Sequence, residues 1–125
     1  MRFALIPALL AGLAGAAAPA APREKDPLAG RIAGKPADCV DQSRLGGPDI
    51  VDNRTILYRQ SLRRIWRNDL PEACIGLRPN TTLIVEIYGS QLCRNDHFRS
   101  REPGSIIPGP YCRLGKFTPY DLPNK

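Results

Sequence analysis

Residues 81–93 read TTLIVEIYGSQLC, and this stretch decides the fold class that the sequence predicts. Residues 81–88 are rich in β-branched and aromatic side chains, which favour a strand. Gly89-Ser90 follows, and a glycine at the first position of a two-residue turn is typical of a type II′ hairpin. The sequence therefore predicts that residues 91–98, QLCRNDHF, form the return strand of a β-hairpin. Its register would place Ile87 opposite Leu92 and Glu86 opposite Cys93, and a shift of one residue would turn every side chain to the other face.

Turn-forming residues recur along the rest of the chain, as in Gly46-Gly47-Pro48, Pro79-Asn80 and Pro108-Gly109-Pro110. This spacing leaves room for short strands and little room for long helices. A chain of 125 residues is long enough for one domain with a modest core. We therefore expect an all-β domain over residues 38–120, a small antiparallel barrel or sandwich built from hairpins.

Residues 54–70, RTILYRQSLRRIWRNDL, fit two structures equally well. Tyr58, Leu62 and Trp66 recur at helical spacing, which favours an amphipathic helix. The β-branched and aromatic residues on either side of Gln60-Ser61 favour two strands joined by a turn. Periodicity and propensity alone do not separate the helix from the hairpin.

The N-terminal residues predict export. Arg2 is followed by an uncharged run of Ala, Leu and Gly that ends in Ala18-Pro19-Ala20, the order of a secretory signal peptide with an A-x-A cleavage site. A membrane anchor would need about 20 strongly apolar residues, whereas this run is rich in Ala and Gly and is broken by proline. We expect residues 1–20 to be removed, leaving no stable membrane span, and the protein to be periplasmic or secreted. Residues 21–37 are then a flexible linker and residues 121–125 a C-terminal tail.

The cysteines predict disulfide bonds. Four remain after export, and an even number in a small exported chain indicates bridges. A structural zinc site is the alternative, but no C-x-x-C pair supplies its chelating loops, and we expect neither a metal nor another cofactor. Of the three possible connectivities, we favour Cys74–Cys93 with Cys39–Cys112.

The charge balance favours acidic partners. The chain has a formal net charge of +6, and 14 of its 18 basic residues are arginine, whose planar fork binds carboxylate and phosphate. Arginines interleaved with Tyr58 and Trp66 are typical of polyanion binding. On strands, however, neither face would be uniformly basic, and we expect both aromatic rings to fill the core. The candidate anion-binding residues within the Arg54–Arg67 cluster are Arg59, Arg63, Arg64 and Arg67.

His97 is the one histidine of the chain and the leading candidate for acid/base chemistry. Small secreted nucleases often combine a glutamate, an arginine and a histidine, and Glu86, Arg94 and His97 are the weak candidates for that set. In the predicted hairpin register Glu86 and Arg94 lie on opposite faces, and Asp96, adjacent to His97 on the strand, points away from it. A surface histidine without a catalytic role is the expected alternative.

Several short motifs, in order, resemble an uncharacterised family of small exported proteobacterial proteins. They are DNRTILYR, IWRNDL, CIGLR, QLCRND and YCRLGKFTPY, and the match spans residues 39–119. The resemblance implies an exported, four-cysteine protein, and it favours the hairpin over the helix for residues 54–70. No established activity comes with it.

These observations together predict an exported, non-enzymatic module that binds a partner or serves a structural role in the cell envelope. Its expected partner is an acidic envelope component or another protein. A secreted cationic hydrolase that uses Glu86 and His97 is one alternative. Polyanion binding through the Arg54–Arg67 cluster is another.

Overall fold

The computed structural model describes residues 11–12, 15 and 26–124, which form antiparallel strands and one short 3-10 helix, Gln42–Arg44. The predicted all-β class is confirmed. In chain order the strands are β1 (Ile32–Ala33), β2 (Cys39–Asp41), β3 (Gly46–Ile50), β4 (Thr55–Arg59), β5 (Arg64–Asp69), β6 (Thr82–Val85), β7 (Gln91–Cys93), β8 (His97–Arg101), β9 (Cys112–Arg113) and β10 (Phe117–Asp121).

The largest sheet has five strands in the order β1-β10-β5-β4-β3. Its centre is the hairpin of β4 and β5, in which Tyr58 lies opposite Trp66. The hairpin predicted for residues 54–70 is therefore confirmed, and the helical alternative is wrong. The turn predicted at Gln60-Ser61 is part of the loop between these strands, in which the backbone N–H groups of Gln60 and Ser61 both donate to the carbonyl of Arg64.

The predicted hairpin between residues 81–88 and 91–98 is wrong. β6 pairs with β8, so that Val85 lies opposite Phe98, and β9 completes a three-stranded sheet. β7 leaves this sheet and pairs with β2 instead. The sequence around Gly89 is typical of a tight turn, but turn propensity does not show with which strand β6 or β7 pairs.

Two disulfides link the four cysteines, as predicted, but their connectivity differs from the favoured one. The bonds are Cys39–Cys93 and Cys74–Cys112. Cys39 lies directly opposite Cys93 in the β2–β7 ladder, so the sheet pairing itself brings these two sulfurs together. The predicted pairs Cys74–Cys93 and Cys39–Cys112 are therefore wrong.

The three sheets pack around one hydrophobic core. Ile56 and Phe117 of the large sheet, Phe98 of the three-stranded sheet and Leu114 are completely buried. Tyr58 is 4% exposed and its ring lies 6.0 Å from that of Phe117, while Trp66 packs against the edge of the core. The sheets remain separate and do not close into a barrel.

The fold begins before the predicted boundary at residue 38. β1 pairs with β10, and the Arg31 guanidinium donates hydrogen bonds to the carbonyls of Leu62 and Arg63. The prediction of a flexible linker is therefore wrong for residues 31–33. Residues 21–25 lie outside the residues that the structure describes. At the other end, the strand β10 runs into the predicted tail as far as Asp121.

The predicted signal peptide, residues 1–20, lies outside the described residues except at positions 11–12 and 15. No helix within the described ranges is long and apolar enough to cross a membrane. The two disulfides indicate that the chain folds in an oxidising environment.

Candidate functional site

The strand β8 alternates between core and solvent, and this alternation builds a charged surface. Phe98 and Ser100 are buried beneath the three-stranded sheet, whereas the intervening residues point away from the core. The neighbouring strands present their own outward side chains beside them. We call this surface the outer face, formed by Glu86, His97, Arg99, Arg101, Tyr111 and Arg113.

Glu86 and His97 are neighbours on the outer face. The pairing of Val85 with Phe98 continues by one residue, and the Glu86 N–H donates to the His97 carbonyl at 3.1 Å. Side chains directly opposite each other on antiparallel strands have Cβ atoms about 4.5–5.5 Å apart. The structure therefore brings together two of the three predicted catalytic candidates, which the predicted register had separated.

Tyr111 lies between these side chains. Its hydroxyl donates to Glu86 Oε1 at 3.4 Å, and its ring meets the His97 imidazole edge-on, with centroids 6.2 Å apart. The Arg99 guanidinium carbon stacks 4.7 Å from the centre of the same ring. Arg99 is also held by a hydrogen bond from its Nε to the Gly109 carbonyl at 2.8 Å. The tyrosine thus contacts a carboxylate, an imidazole and a guanidinium.

A cleft of about 290 Å³ adjoins the outer face. His97, Tyr111 and Arg113 line one side of it, and Pro71, Glu72 and Ala73 line the other. Arg113 lies opposite His97 in the β8–β9 ladder, and its guanidinium is 3.8 Å from the Glu72 carboxylate. This pair is largely exposed, so that a bound anion can compete with Glu72 for the guanidinium.

Arg94, the third predicted catalytic candidate, makes its contacts elsewhere. Its backbone N–H donates to the Asp38 carbonyl, and its guanidinium lies 3.9 Å from the Asp38 carboxylate. The adjacent Asp96 carboxylate accepts a hydrogen bond from the Cys93 N–H at 2.7 Å, which closes the turn between β7 and β8. Arg94 and Asp96 therefore shape this turn, and the arginines beside His97 are Arg99 and Arg113.

The candidate anion-binding arginines do not form one surface. Arg59 and Arg67 lie on the face of the β4–β5 hairpin opposite to Arg64, and Arg63 lies in the connecting loop. Arg63 donates to Asn124 Oδ1 at 2.8 Å, and Arg67 to Asp69 Oδ1 at 2.8 Å. The guanidinium groups of Arg63 and Arg67 therefore already bind acceptors within the chain.

Arg64 forms a bidentate ion pair with Asp121. Its Nε and an Nη each donate to one oxygen of the Asp121 carboxylate at 2.8 Å. These hydrogen bonds hold the pKa of Asp121 below its usual value and raise the pKa of Arg64. Arg64 also lies over the Trp66 ring, 5.3 Å from its centre. It joins β5 to β10, which is a structural role.

Sequence reasoning did not identify four residues of the outer face, Arg99, Arg101, Tyr111 and Arg113. One signal was present: the segment HFRSR over residues 97–101 alternates charged and smaller or apolar residues, as a half-buried strand does. The positions of Tyr111 and Arg113 depend on β9 pairing with β8, which no local pattern indicates. Among the residues that the structure describes, no three His, Cys, Asp or Glu side chains gather as metal ligands.

Comparison with protein-family models, with curated proteins and with solved structures found no match to this chain. The function must therefore be inferred from the chain's own residues.

Proposed function

We propose that this protein is an exported binding module without enzymatic activity, periplasmic or secreted, and that its outer face binds an acidic group of a partner in the cell envelope. The disulfides support a location outside the reducing cytoplasm. The observation that carries the proposal is the contact of His97 and Arg99 with Tyr111, beside an open cleft that His97, Tyr111 and Arg113 line.

The outer face holds three arginines and one histidine against two carboxylates, Glu86 and the Glu72 that lies 3.8 Å from Arg113, so its arginines outnumber its carboxylates. Arg99 is already ordered by the Tyr111 ring and the Gly109 carbonyl, so that less side-chain entropy is lost when it binds an anion. A guanidinium presents paired N–H donors to carboxylate or phosphate oxygens. A carboxylated or phosphorylated envelope polymer is the partner that fits this chemistry.

The test compares two double variants of equal net charge on a heparin column, since heparin is a soluble polyanion. Arg101→Gln with Arg113→Gln removes two charges from the outer face. Arg59→Gln with Arg63→Gln removes two from the β4–β5 hairpin. We expect only the first variant to elute at clearly lower salt. Equal elution of both would show that retention reflects net charge alone, and an effect of the second variant only would place binding at the predicted arginine cluster.

A second function is favoured by one observation, the pairing of Glu86 with His97. A carboxylate and an imidazole on neighbouring strands can act as general base and general acid in phosphodiester hydrolysis. One group would take the proton of the attacking water, and the other would protonate the oxygen that leaves as the P–O bond breaks. Arg113 would hold the phosphate beside them.

The two functions are separated by an RNA cleavage assay with the wild-type protein and the His97→Ala variant. The binding proposal predicts no cleavage above that of a mock purification. Cleavage that is lost in a folded His97→Ala variant and is reduced in Glu86→Gln would establish the hydrolase instead. Retention of the His97→Ala variant on heparin would then show that binding and chemistry use different residues.

A further inference from the structure

The connection between β8 and β9, residues 102–111, exposes two adjacent isoleucines, and we call it the isoleucine loop. Ile106 is 90% exposed and Ile107 is 76% exposed. A third isoleucine lies at the base of the loop: Ile75 is 78% exposed, and its carbonyl lies beside Gly109. The Cys74–Cys112 disulfide joins the two segments. Single exposed aliphatic side chains are ordinary, whereas grouped ones mark interaction surfaces.

Hydrogen bonds hold the backbone of the isoleucine loop without involving the isoleucine side chains. The Ser105 N–H donates to the Glu102 carbonyl at 3.1 Å. The Ser105 hydroxyl accepts from the Ile107 N–H at 3.2 Å and donates to the Ile107 carbonyl at 3.3 Å. The Gly109 N–H donates to the Ser100 carbonyl at 2.7 Å. The loop therefore presents its isoleucines from a fixed backbone, so that little backbone entropy is lost when they are buried against a partner.

Arginines surround the base of the isoleucine loop. Arg101 directly precedes it, is exposed and makes no ion pair among the described residues. The Arg99 side chain donates to the Gly109 carbonyl. Arg78 pairs with Glu102 at 2.6 Å, and both of these side chains are more than half exposed. Three arginines and one carboxylate thus lie below the apolar tip, and this charge favours an anionic partner.

An apolar tip above a basic base fits an anionic lipid bilayer better than it fits a protein. Ile106 and Ile107 stand out from the surface, so a protein partner would need a pocket of matching shape. The acyl chains of a bilayer, being fluid, adapt to any shape. Apolar burial and attraction to anionic lipids together bind proteins to membrane surfaces, and each arginine near the headgroups adds to that attraction.

We propose that the isoleucine loop inserts into the surface of an anionic phospholipid bilayer. Ile106 and Ile107 lie among the acyl chains, and Arg78 and Arg101 lie against the headgroup phosphates. This inference rests on the proposed function for the attraction of Arg101, which belongs to the outer face, to an acidic group. It goes beyond that function in the contact between the isoleucines and the acyl chains.

The test is co-sedimentation of the purified protein with vesicles of phosphatidylglycerol and phosphatidylcholine. We expect Ile106→Ser with Ile107→Ser to weaken vesicle binding about tenfold or more, because two apolar side chains no longer enter the bilayer. Ile32→Ser with Leu62→Ser is the matched control, since these side chains are 63% and 81% exposed and belong to the five-stranded sheet and its β4–β5 loop. This control should change the affinity less than about twofold. Neither double variant should alter elution from heparin.

A tryptophan in the loop reports insertion directly. After subtraction of the wild-type emission, the fluorescence of Ile106→Trp should shift to shorter wavelength when anionic vesicles are added, and that of Leu62→Trp should not. Absence of this shift, or equal vesicle affinity of the two serine variants, would overturn the insertion.

The wild-type protein gives the remaining outcomes. Equal binding to vesicles of pure phosphatidylcholine would refute the role of the arginines. Absence of binding to any vesicle would overturn the proposal and point to a protein at this surface. Failure of the proposed function would be visible separately, in the heparin elution of Arg101→Gln with Arg113→Gln, which leaves both isoleucines in place.

Discussion

Asn68 and Gly115 form a reciprocal pair of hydrogen bonds in the core. The Asn68 Nδ2 donates to the Gly115 carbonyl at 2.7 Å, and the Gly115 N–H donates to Asn68 Oδ1 at 2.8 Å. Asn68 is completely buried, so these bonds satisfy a backbone segment that water does not reach. The pair fixes the chain between β9 and β10 against β5, and it gives the motif residues of IWRNDL and CRLGKF a structural role.

Replacing Asn68 with Ala should lower the free energy of unfolding by about 2–4 kcal/mol, because both backbone groups of Gly115 lose their partner while they stay buried. Urea denaturation followed by tryptophan fluorescence would measure this. Asn80→Ala is the control at an exposed turn and should change stability by less than about 0.5 kcal/mol. Equal effects of the two substitutions would contradict the role given to Asn68.

Gly115→Ala should also be disruptive, because a Cβ at this position would overlap the Asp69 carbonyl oxygen. Backbone atoms cannot rotate away as a side chain can, so we expect a loss of about 2–3 kcal/mol or more. Gly46→Ala is the control, since its Cβ would meet its nearest neighbour, the Arg59 carbonyl oxygen, at an ordinary 3.4 Å. Thermal denaturation of both variants decides this, and a Gly115→Ala protein as stable as the control would show that the segment can move.

The disulfide connectivity predicts which peptides stay joined in a non-reduced digest. Mass spectrometry should find the peptide with Cys39 linked to that with Cys93, and Cys74 linked to Cys112. A peptide joining Cys74 to Cys93 would refute the pairing described here.

Removing one bridge should also destabilise the fold. The bonds span 54 and 38 residues, and closing loops of this length in the unfolded chain stabilises a protein by about 2–4 kcal/mol. We expect the double variants Cys39→Ala with Cys93→Ala, and Cys74→Ala with Cys112→Ala, to lose similar amounts in urea denaturation. A double variant that is as stable as the wild-type protein would contradict this.

The Arg64–Asp121 pair predicts a pH dependence of stability. Asp121 has a lowered pKa in the folded state, so its contribution is complete above the unfolded pKa of about 3.9 and is lost as the pH falls through the folded value. Both side chains are more than one third exposed, which limits the effect to about 1 kcal/mol or less. The difference in unfolding free energy between the wild-type protein and Asp121→Asn should therefore persist from pH 7 to pH 5 and shrink as the pH falls below about 4.

Asp49→Asn serves as the control for this measurement, since Asp49 makes no ion pair among the described residues. Its difference from the wild-type protein should be small throughout the pH range. A difference for Asp121→Asn that grows toward low pH would show that the carboxylate is not stabilised by Arg64.

The sequence predicted several local features correctly for physical reasons that operate within a few residues. The β-branched and aromatic side chains of residues 55–59 and 64–69 favour the strands that form there. The helical spacing of Tyr58, Leu62 and Trp66 left a helix equally possible, and the resemblance to a family of exported proteins favoured the hairpin. The same reasoning failed for the segment around Gly89-Ser90. There the turn signal is strong, yet Leu92 and Cys93 pair with β2, because the disulfide and the core favour that distant partner.

The candidate site could likewise be predicted only in part, because local signals do not show which strands pair. His97 and Glu86 could be identified as titratable residues, but their proximity depends on the pairing of β6 with β8, which the predicted hairpin did not contain. Tyr111 and Arg113 join them only because β9 pairs with β8. Tyr58 was expected in the core and is buried there. That its hydroxyl has no hydrogen-bond partner among the described residues depends on the packing of three separate sheets.

By itself, the sequence determined that this is an all-β domain whose four cysteines form two disulfides. Strand propensity is a property of a few neighbouring residues, and the even number of cysteines can be counted directly. Only the tertiary structure decided which cysteines pair, which strand lies beside residues 82–85, and which side chains share the outer face. The physical reason is that a strand presents the same donors and acceptors to every possible neighbour. The choice among neighbours is made by the packing of the whole core, in which Phe98, Leu114 and Phe117 are brought together from distant parts of the chain.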